Sequence, residues 1–292
     1  MDKNNNSVKL AGIFTLLNQT VLFLKERFSV LFLINTFTYI PLLFVLPILD
    51  NLQNINIWMY QVFLKVDNLF VVVAAFVIPI IVLVAIIVII QTWTTAALTT
   101  EVSSSQKLGF WKSFKSSRSL IKSYWWMSSL SGIIVLGSSV FLIIPGIIFS
   151  IWFVFALYVL QTLKYKGLMS LLISREYVRG YFWQVTGRML VLGLFIGTIS
   201  WGSDKIIMYF KLDQIFVGSL LAVVISSTLG VFISAYIYKI FQNLYQIKGE
   251  IDIKPTFGEK LKYTWLGILG FILIFVVTPT ILILSSNISK NF

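Results

Sequence analysis

Apolar residues occur in seven long stretches that short polar segments separate. The stretches cover residues 29–49, 68–92, 125–144, 147–163, 189–210, 215–238 and 263–284. A helix of roughly 20 apolar residues crosses the hydrocarbon core of a bilayer, which is about 30 Å thick. The pattern therefore predicts an all-α, polytopic transmembrane helical bundle of about seven spans, with residues 1–292 forming a single transmembrane domain.

Two positions affect the span count. The third and fourth stretches form one apolar run that only Pro145-Gly146 interrupts, and proline followed by glycine favours two short helices with a tight turn over one long tilted helix. Asp204 and Lys205 interrupt the fifth stretch. This span either ends near Trp201, with 206–210 at the membrane interface, or continues to its full length.

Amphipathic segments precede several spans. In the first, residues 1–27, apolar side chains recur at spacings of three and four, and basic and amide side chains lie opposite them; the segments before residues 125 and 189 share this pattern. Such segments predict interfacial helices on the cytoplasmic side, with basic residues reaching lipid phosphates. The candidate headgroup contacts are Lys112, Lys115, Arg118, Lys122, Arg175 and Arg179. Anchoring and topology control are the simpler interpretation, because snorkelling basic residues are common in membrane proteins.

The composition and the charges agree with this architecture. The chain is 58% hydrophobic and only 12% charged, with a mean hydropathy of +0.91, whereas soluble domains are about 25% charged. Segments between spans alternate in Lys and Arg content, with 19 on one side and 4 on the other. The positive-inside rule then predicts a cytoplasmic N-terminus and a C-terminus outside. The net charge of +12 follows from this topology, so no nucleic-acid partner is needed. The polar first nine residues predict no cleaved signal peptide.

Small residues recur every four positions in the sixth stretch, at Gly218, Ala222, Ser226, Gly230 and Ser234, and Gly193 and Gly197 form a GxxxG motif in the fifth. Small residues allow close helix approach. These two stretches are expected to pack against each other within the bundle, and contact between copies in a homo-oligomer is the alternative.

The span cores contain no ionisable residue, which argues against ion-coupled transport. The polar residues there are amides and hydroxyls, at Asn35, Gln91, Thr94, Thr95 and Gln161. They could line a polar cavity that opens to the cytoplasm. Interhelical hydrogen bonds are the favoured interpretation, because lone polar residues in bundles mostly make them.

The chain has no His and no Cys. This excludes imidazole-based acid–base catalysis, Ser-His and Cys-His nucleophiles, and thiol or imidazole metal sites. There is no phosphate-binding loop and no nucleophile motif. The sequence therefore predicts a non-enzymatic protein without a cofactor or a metal.

Residues 141–195 carry a resemblance. An Ile144-Pro145-Gly146 turn opens a span, and a stretch from Ser174 through Val178, Arg179 and Gly180 to Trp183 leads into the next one. This resembles the membrane domain associated with bacterial glycerophosphoryl diester phosphodiesterases and the related YciC-like inner-membrane proteins. The resemblance implies a helical bundle with interfacial helices, in which hydrolysis belongs to a separate soluble domain. This chain lacks that domain, lacks the expected acidic residue in 163–167 and adds a seventh span, so no phosphodiesterase activity is carried over.

The leading hypothesis is a multi-pass protein of the bacterial cytoplasmic membrane that acts as a binding, scaffold or assembly component. Its partners would be membrane lipids, through anionic headgroups, and a membrane-protein partner or a second copy. The alternative is a transporter or channel-like protein for a lipid or an uncharged solute, which would use the region of Asn35, Gln91 and Gln161.

Overall fold

The computed structural model describes residues 10–41, 78–141, 143–211 and 216–251, together with residues 253, 256, 258, 263, 265, 268, 269 and 272. The regular structure in this part of the chain is helical, which confirms the predicted all-α fold. In chain order the helices are α1 (Ile13–Phe37), α2 (Ile78–Ser103), α3 (Phe110–Ser117), α4 (Ile121–Phe141), α5 (Ile143–Phe153), α6 (Ala156–Leu163), α7 (Leu168–Val178), α8 (Phe182–Tyr209) and α9 (Phe216–Lys248), and a 3-10 turn at Arg118–Leu120 joins α3 to α4.

Four helical segments in the described ranges are long and apolar enough to cross a membrane. They are Ile78–Ser103, Ile144–Leu163, Phe182–Tyr209 and Val217–Lys248, and each coincides with a predicted span. They fit a multi-pass membrane protein, although they match the predicted count of about seven only loosely. Helix α4 covers most of the predicted third span without being one of the four. Of the predicted span 29–49 only 29–41 is described, and span 263–284 lies outside the described residues except for five positions.

Helix α4 ends at Phe141 and α5 begins at Ile143, so the third and fourth stretches form two helices, as the sequence favoured. Pro145 and Gly146 lie in the first turn of α5 and not between the two helices. Gly146 is buried against Ser139 of α4, and a Cβ atom at this position would overlap the Ser139 side chain. Glycine is therefore required here by the close approach of the two helices.

Helix α8 continues without a break through Asp204 and Lys205 to Tyr209. Both charged side chains are exposed on the last turns of the helix. Residues 206–209 therefore continue the same helix, and the length of the fifth span within the membrane stays a prediction.

The described residues fall into two compact units, each built from several stretches of the chain. Unit 1 draws on Met1–Glu26, Lys122–Phe195 and Ile233–Phe292, and unit 2 on Arg27–Ile121 and Ile196–Phe232. The core of unit 1 is aromatic: Phe241 lies with its ring centroid 5.4 Å from that of Tyr177 and 5.9 Å from that of Phe155. Unit 2 buries smaller side chains, including Leu31, Ile34, Ala96, Ala97 and Val102. That residues 1–292 form a single domain stays a prediction.

The first half of α2 exposes a continuous apolar surface. Ile80, Ile81, Val84 and Ile89 are all more than half exposed. A soluble monomer rarely exposes so large an apolar patch, whereas lipid chains solvate such a helix without cost. This exposure therefore supports a location in the membrane.

The amphipathic segments do not all present the predicted faces. Along α1 the buried positions include Leu16, Thr20, Arg27 and Leu31, whereas Phe14, from the predicted apolar stripe, is 87% exposed. In α7 the predicted stripe faces the core of unit 1, where Leu171, Leu172 and Val178 are buried. An apolar stripe suits either a lipid or a protein neighbour, so periodicity alone does not distinguish the two.

Candidate functional site

The α7 cavity lies in unit 1, where α5, α7 and the start of α8 meet. Its volume is about 360 Å³, and it is lined by Ile148, Trp152, Arg175, Arg179, Gly180 and Phe182. The guanidinium of Arg175 lies over the Trp152 ring, 5.0 Å from its centroid. A guanidinium on an aromatic face keeps its N–H edges available for an anion. The cavity therefore combines two cations with an apolar wall.

A break in the membrane-spanning segment Ile144–Leu163 positions this cavity. Helix α5 ends at Phe153 and α6 begins at Ala156, so backbone groups at the break need other partners. The Ser174 hydroxyl of α7 is the partner of two such groups. It accepts a hydrogen bond from the Phe155 N–H at 3.2 Å and donates one to the Trp152 carbonyl oxygen at 2.6 Å. Ser174 is fully buried, although the sequence had placed it on the polar face.

Residues at the C-terminal end of α9 stabilise the connection between α7 and α8. The Lys248 ammonium donates to the carbonyl oxygens of Glu176 and Arg179 at the C-terminal end of α7, where a cation is favoured by the helix dipole. The Tyr177 hydroxyl donates to the Gly249 carbonyl oxygen at 2.8 Å. Burial raises the pKa of Tyr177 to about 12, so the phenol stays neutral and able to donate at physiological pH.

Arg179 is only weakly engaged within the protein. Its guanidinium lies 3.4 Å from a Glu176 carboxylate oxygen, and its side chain is 73% exposed. An exposed pair of this kind contributes about 0–1 kcal/mol. Gly180, with φ of 83°, makes the turn and adds no side chain to the cavity. A ligand anion could therefore compete for Arg179 at little cost.

The α3 cavity lies in unit 2 and has the same chemistry. It measures 490 Å³ and is lined by Phe37, Trp93, Phe110, Trp111, Phe114, Lys115 and Arg118. Phe114 is the centre of the aromatic group, with ring centroids of Phe37 and Trp93 each 5.5 Å away. The Trp93 indole N–H donates to the Phe114 carbonyl oxygen at 3.1 Å. Lys115 and Arg118 are exposed at the margin of this aromatic wall.

A buried polar cluster that the sequence did not reveal fixes the start of α3. The Arg27 guanidinium donates to the carbonyl oxygens of Glu101, Ser104 and Ser105 at 2.9, 2.9 and 3.0 Å, and so satisfies the C-terminal end of α2. The fully buried Glu101 carboxylate accepts a hydrogen bond from the Ser113 hydroxyl at 2.7 Å. The only indication in the sequence was Glu101, a single acidic residue that follows an apolar stretch in a chain with few acidic residues.

Arg188 is a second buried cation that the sequence did not single out. Its guanidinium donates to the carbonyl oxygens of Leu10 and Ala11, with the shortest distance 2.5 Å. The Ala11 N–H in turn donates to Asn243 Oδ1 at 2.9 Å. These bonds fix the chain where it enters α1.

Four of the six candidate headgroup contacts line the two cavities. Arg175 and Arg179 line the α7 cavity, and Lys115 and Arg118 line the α3 cavity. Lys112 and Lys122 are exposed and line neither one. The structure thus separates these residues by their position at a cavity, and their role as headgroup contacts stays a prediction.

The residues of the candidate polar cavity make hydrogen bonds in the structure. In unit 2, the buried Asn35 amide donates to the Ser227 carbonyl oxygen of α9 at 3.0 Å. The hydroxyls of Thr94 and Thr95 donate to carbonyl oxygens one turn earlier, that of Thr95 to Gln91. In unit 1, the Gln161 amide oxygen accepts from the Tyr124 hydroxyl at 3.4 Å. The bonds of Asn35 and Gln161 join different helices, which is the alternative that the sequence favoured, whereas those of Thr94 and Thr95 stay within α2.

The predicted small-residue contacts are found at some positions only. Gly230 packs against the Asn35 amide, Gly218 is buried, Ser226 is half-buried and Ala222 is exposed. The Ser234 carbonyl oxygen accepts from the Tyr158 hydroxyl at 2.7 Å. A Cβ atom added at Gly193 or Gly197 would meet nothing within 4 Å among the described residues. The expected contact of that GxxxG motif with α9 stays a prediction.

The chain matches no family model, and neither a curated protein nor a solved structure matches it. The geometry of its own residues is consequently the basis for the function proposed below.

Proposed function

We propose that the chain is a non-enzymatic protein of the bacterial cytoplasmic membrane that binds anionic lipid headgroups at the α7 and α3 cavities. The observation that carries this proposal is the pairing, in both cavities, of two basic side chains with an aromatic wall. A phosphate would lie against the cations, and the first carbons of the acyl chains against the aromatic rings. Through these sites the protein would act as a membrane-embedded binding or scaffold component.

The charges and their surroundings support an anion rather than a neutral ligand. In the α7 cavity the one acidic neighbour of Arg179 forms only an exposed pair. In the α3 cavity, Lys115 and Arg118 are exposed and have no acidic partner among the described residues. Each basic side chain near an anionic membrane surface contributes about 1 kcal/mol of attraction. Two in one cavity, with rings that exclude water, make a stronger site than scattered basic residues.

A lipid-binding measurement tests the proposal. The full chain is placed in nanodiscs of equal parts phosphatidylcholine and phosphatidylglycerol, and the retained lipids are counted by native mass spectrometry. Arg175→Gln with Arg179→Gln should weaken phosphatidylglycerol retention by about 2 kcal/mol, or roughly thirtyfold. Lys115→Gln with Arg118→Gln should do the same at the second cavity.

Matched controls remove equal charge outside the cavities. Lys164→Gln with Lys166→Gln is the control for the α7 cavity, and Lys112→Gln with Lys122→Gln is the control for the α3 cavity, because all four lysines are exposed and line neither cavity. Equal losses in the control and cavity variants would show that net charge alone attracts lipid. Full retention in the cavity variants would contradict the proposal.

A further inference from the structure

The two basic cavities, at α7 and at α3, differ in the kind of cation that they carry. The α7 cavity has two guanidinium groups, those of Arg175 and Arg179, whereas the α3 cavity has the Lys115 ammonium and the Arg118 guanidinium. A guanidinium is planar and presents its N–H donors as a fork that matches two phosphate oxygens, whereas an ammonium acts as a point charge. The α7 cavity is therefore suited to recognise the shape of a phosphate as well as its charge.

The Arg175 guanidinium is held in place without the use of its donors. It lies over the Trp152 ring, 5.0 Å from the centroid, and makes no hydrogen bond with another described residue. Trp152 is itself fixed, because its carbonyl oxygen accepts the Ser174 hydroxyl at 2.6 Å. A donor that is ordered before binding loses less conformational entropy when a ligand arrives. The N–H edges of Arg175 are thus both available and oriented.

Arg179 adds a second guanidinium one helical turn later. Its backbone N–H donates to the Arg175 carbonyl oxygen at 2.8 Å, and side chains four residues apart are neighbours on a helix. Only Nη1 of Arg179 reaches the Glu176 carboxylate oxygens, at 3.4 and 3.5 Å. Its Nε and Nη2 make no hydrogen bond within the described part of the chain. This second edge of the guanidinium therefore remains for a ligand.

The charges at the C-terminal end of α7 favour a ligand with more than one negative charge. Three cations lie there: Arg175, Arg179 and Lys248, whose ammonium donates to two carbonyl oxygens of this segment. In the described part of the chain, the carboxylates at this end of α7 are those of Glu176 and Glu250, so positive charge is in excess. A phosphomonoester carries a charge of about −1.5 to −2 near neutral pH. It therefore gains more from this excess than a phosphodiester, which carries one charge.

We infer that the α7 cavity prefers a phosphomonoester over a phosphodiester, with the terminal phosphate at Arg175 and Arg179 and the ester carbons against Trp152 and Phe182. A monoester offers three free phosphate oxygens to the two guanidinium edges, whereas a diester offers two. This preference rests on the proposed function, because it specifies the headgroup that one of the two basic cavities selects. The group can come from a lipid with a terminal phosphate, such as phosphatidic acid, or from a soluble phosphate ester.

Competition between two lipids tests the preference. The full chain is placed in phosphatidylcholine nanodiscs with equal amounts of phosphatidic acid and phosphatidylglycerol near neutral pH, and native mass spectrometry counts the retained lipids. The wild type should retain phosphatidic acid about tenfold over phosphatidylglycerol, because it makes additional hydrogen bonds to charged groups. In Arg175→Gln with Arg179→Gln the two lipids should be retained nearly equally, because the α3 cavity has only one guanidinium fork.

Lysine variants separate the geometry of the guanidinium from its charge. Arg175→Lys with Arg179→Lys keeps both positive charges, so phosphatidylglycerol retention should stay close to that of the wild type. The preference for phosphatidic acid should be lost, because an ammonium does not bind two oxygens as a fork. Lys164→Arg with Lys166→Arg is the matched control, since both lysines are exposed and line neither basic cavity, and it should leave the preference unchanged.

The outcomes distinguish this preference from the proposed function. Equal retention of the two lipids by the wild type, or a preference that persists in Arg175→Lys with Arg179→Lys, would overturn the inference. Loss of both lipids in Arg175→Gln with Arg179→Gln would still support the proposed function in that case. Full retention of both lipids in the glutamine variant would contradict the proposed function as well.

A variant that gains affinity guards against loss of folding. Glu176→Gln removes the carboxylate that pairs with Arg179 and increases the excess of positive charge. The preference for phosphatidic acid should therefore rise, by up to about fivefold for one exposed charge, and a misfolded protein would not show such a gain. An unchanged or lower preference in Glu176→Gln would count against the inference even if the lysine variant failed to fold.

Soluble probes identify the source of the group. Glycerol 3-phosphate and glycerophosphoglycerol, a monoester and a diester, are titrated into the full chain in a non-ionic detergent. A preference for phosphatidic acid in nanodiscs assigns a lipid headgroup, whether or not the soluble monoester binds. Tighter binding of glycerol 3-phosphate without a preference between the lipids assigns a soluble ester, and absence of both preferences overturns the inference.

Discussion

At the residue scale, the Ser174 hydroxyl connects the break between α5 and α6 to the α7 cavity. Ser174 satisfies both backbone groups at the break between α5 and α6, accepting from Phe155 and donating to Trp152. The next residue, Arg175, then lies over the ring of the same Trp152. The geometry of the α7 cavity therefore depends on a residue that does not line it.

Replacing Ser174 with alanine should destabilise the protein by about 1–3 kcal/mol, because the buried Phe155 N–H loses its partner and cannot regain it from water. Thermal unfolding in detergent, followed by tryptophan fluorescence, measures the loss. Ser150→Ala is the matched control: its hydroxyl is exposed and donates only to the Ile147 carbonyl oxygen of its own helix, so a change within about 0.5 kcal/mol is expected. Equal losses in both variants would mean that the bridge does not stabilise the break.

At the scale of the helices, packing depends on which small residues contact a neighbouring helix. Gly230 of α9 lies against Asn35 of α1, whose amide donates to the Ser227 carbonyl oxygen. Gly193, in the part of α8 that belongs to unit 1, has no described atom within 4 Å of the place where a Cβ would lie. The same residue type thus has opposite roles in two helices.

Alanine at these two glycines should change stability in opposite directions. Gly230→Ala should destabilise by about 1–3 kcal/mol, because the new methyl displaces the Asn35 amide from its hydrogen bond. Gly193→Ala should be neutral or stabilising by up to about 1 kcal/mol, since alanine favours a helix over glycine. Thermal unfolding of both variants under one set of conditions is the measurement. A loss at Gly193 as large as at Gly230 would indicate that α8 packs closely against another element there.

Periodicity predicted the helices well and their faces poorly. Four of the apolar stretches overlap helices that are long enough to cross a membrane, and the expectation of two helices over 125–163 is confirmed, although Pro145 and Gly146 lie inside α5. The break at 153–156 was not predictable, because its residues are as apolar as their neighbours and Ser174, which stabilises it, is distant in sequence. The exposure of Phe14 was likewise unpredictable, because lipid and protein both accept an apolar face.

The sequence indicated the segments that carry the basic residues, but it did not indicate which of these residues line a cavity. Lys112, Lys115, Arg118 and Lys122 lie on one basic segment of the sequence, and only the α3 helix with its 3-10 turn decides that Lys115 and Arg118 border the aromatic rings. The contact of Arg188 with the Leu10 carbonyl oxygen had no local signal, because the two residues are 178 positions apart in the chain. Long-range pairing of polar residues needs the fold to become visible.

The positive-inside rule predicts the orientation of the chain in the membrane from its charges. Lys107 belongs to a segment that the positive-inside rule places in the cytoplasm, and Lys211 to one that it places outside. Both side chains are exposed. Because the chain has no cysteine, a single introduced thiol reports its own side of the membrane without background.

Lys211→Cys should react with a membrane-impermeant maleimide in intact cells, whereas Lys107→Cys should react only after the membrane is permeabilised. The physical reason is that basic segments are retained on the cytoplasmic side during insertion, so the α2–α3 segment stays inside and the α8–α9 segment crosses. Labelling after denaturation of both variants is the control for thiol availability. The reverse pattern would invert the topology and place both basic cavities against the outer leaflet, and labelling of both positions in intact cells would contradict the span assignment between them.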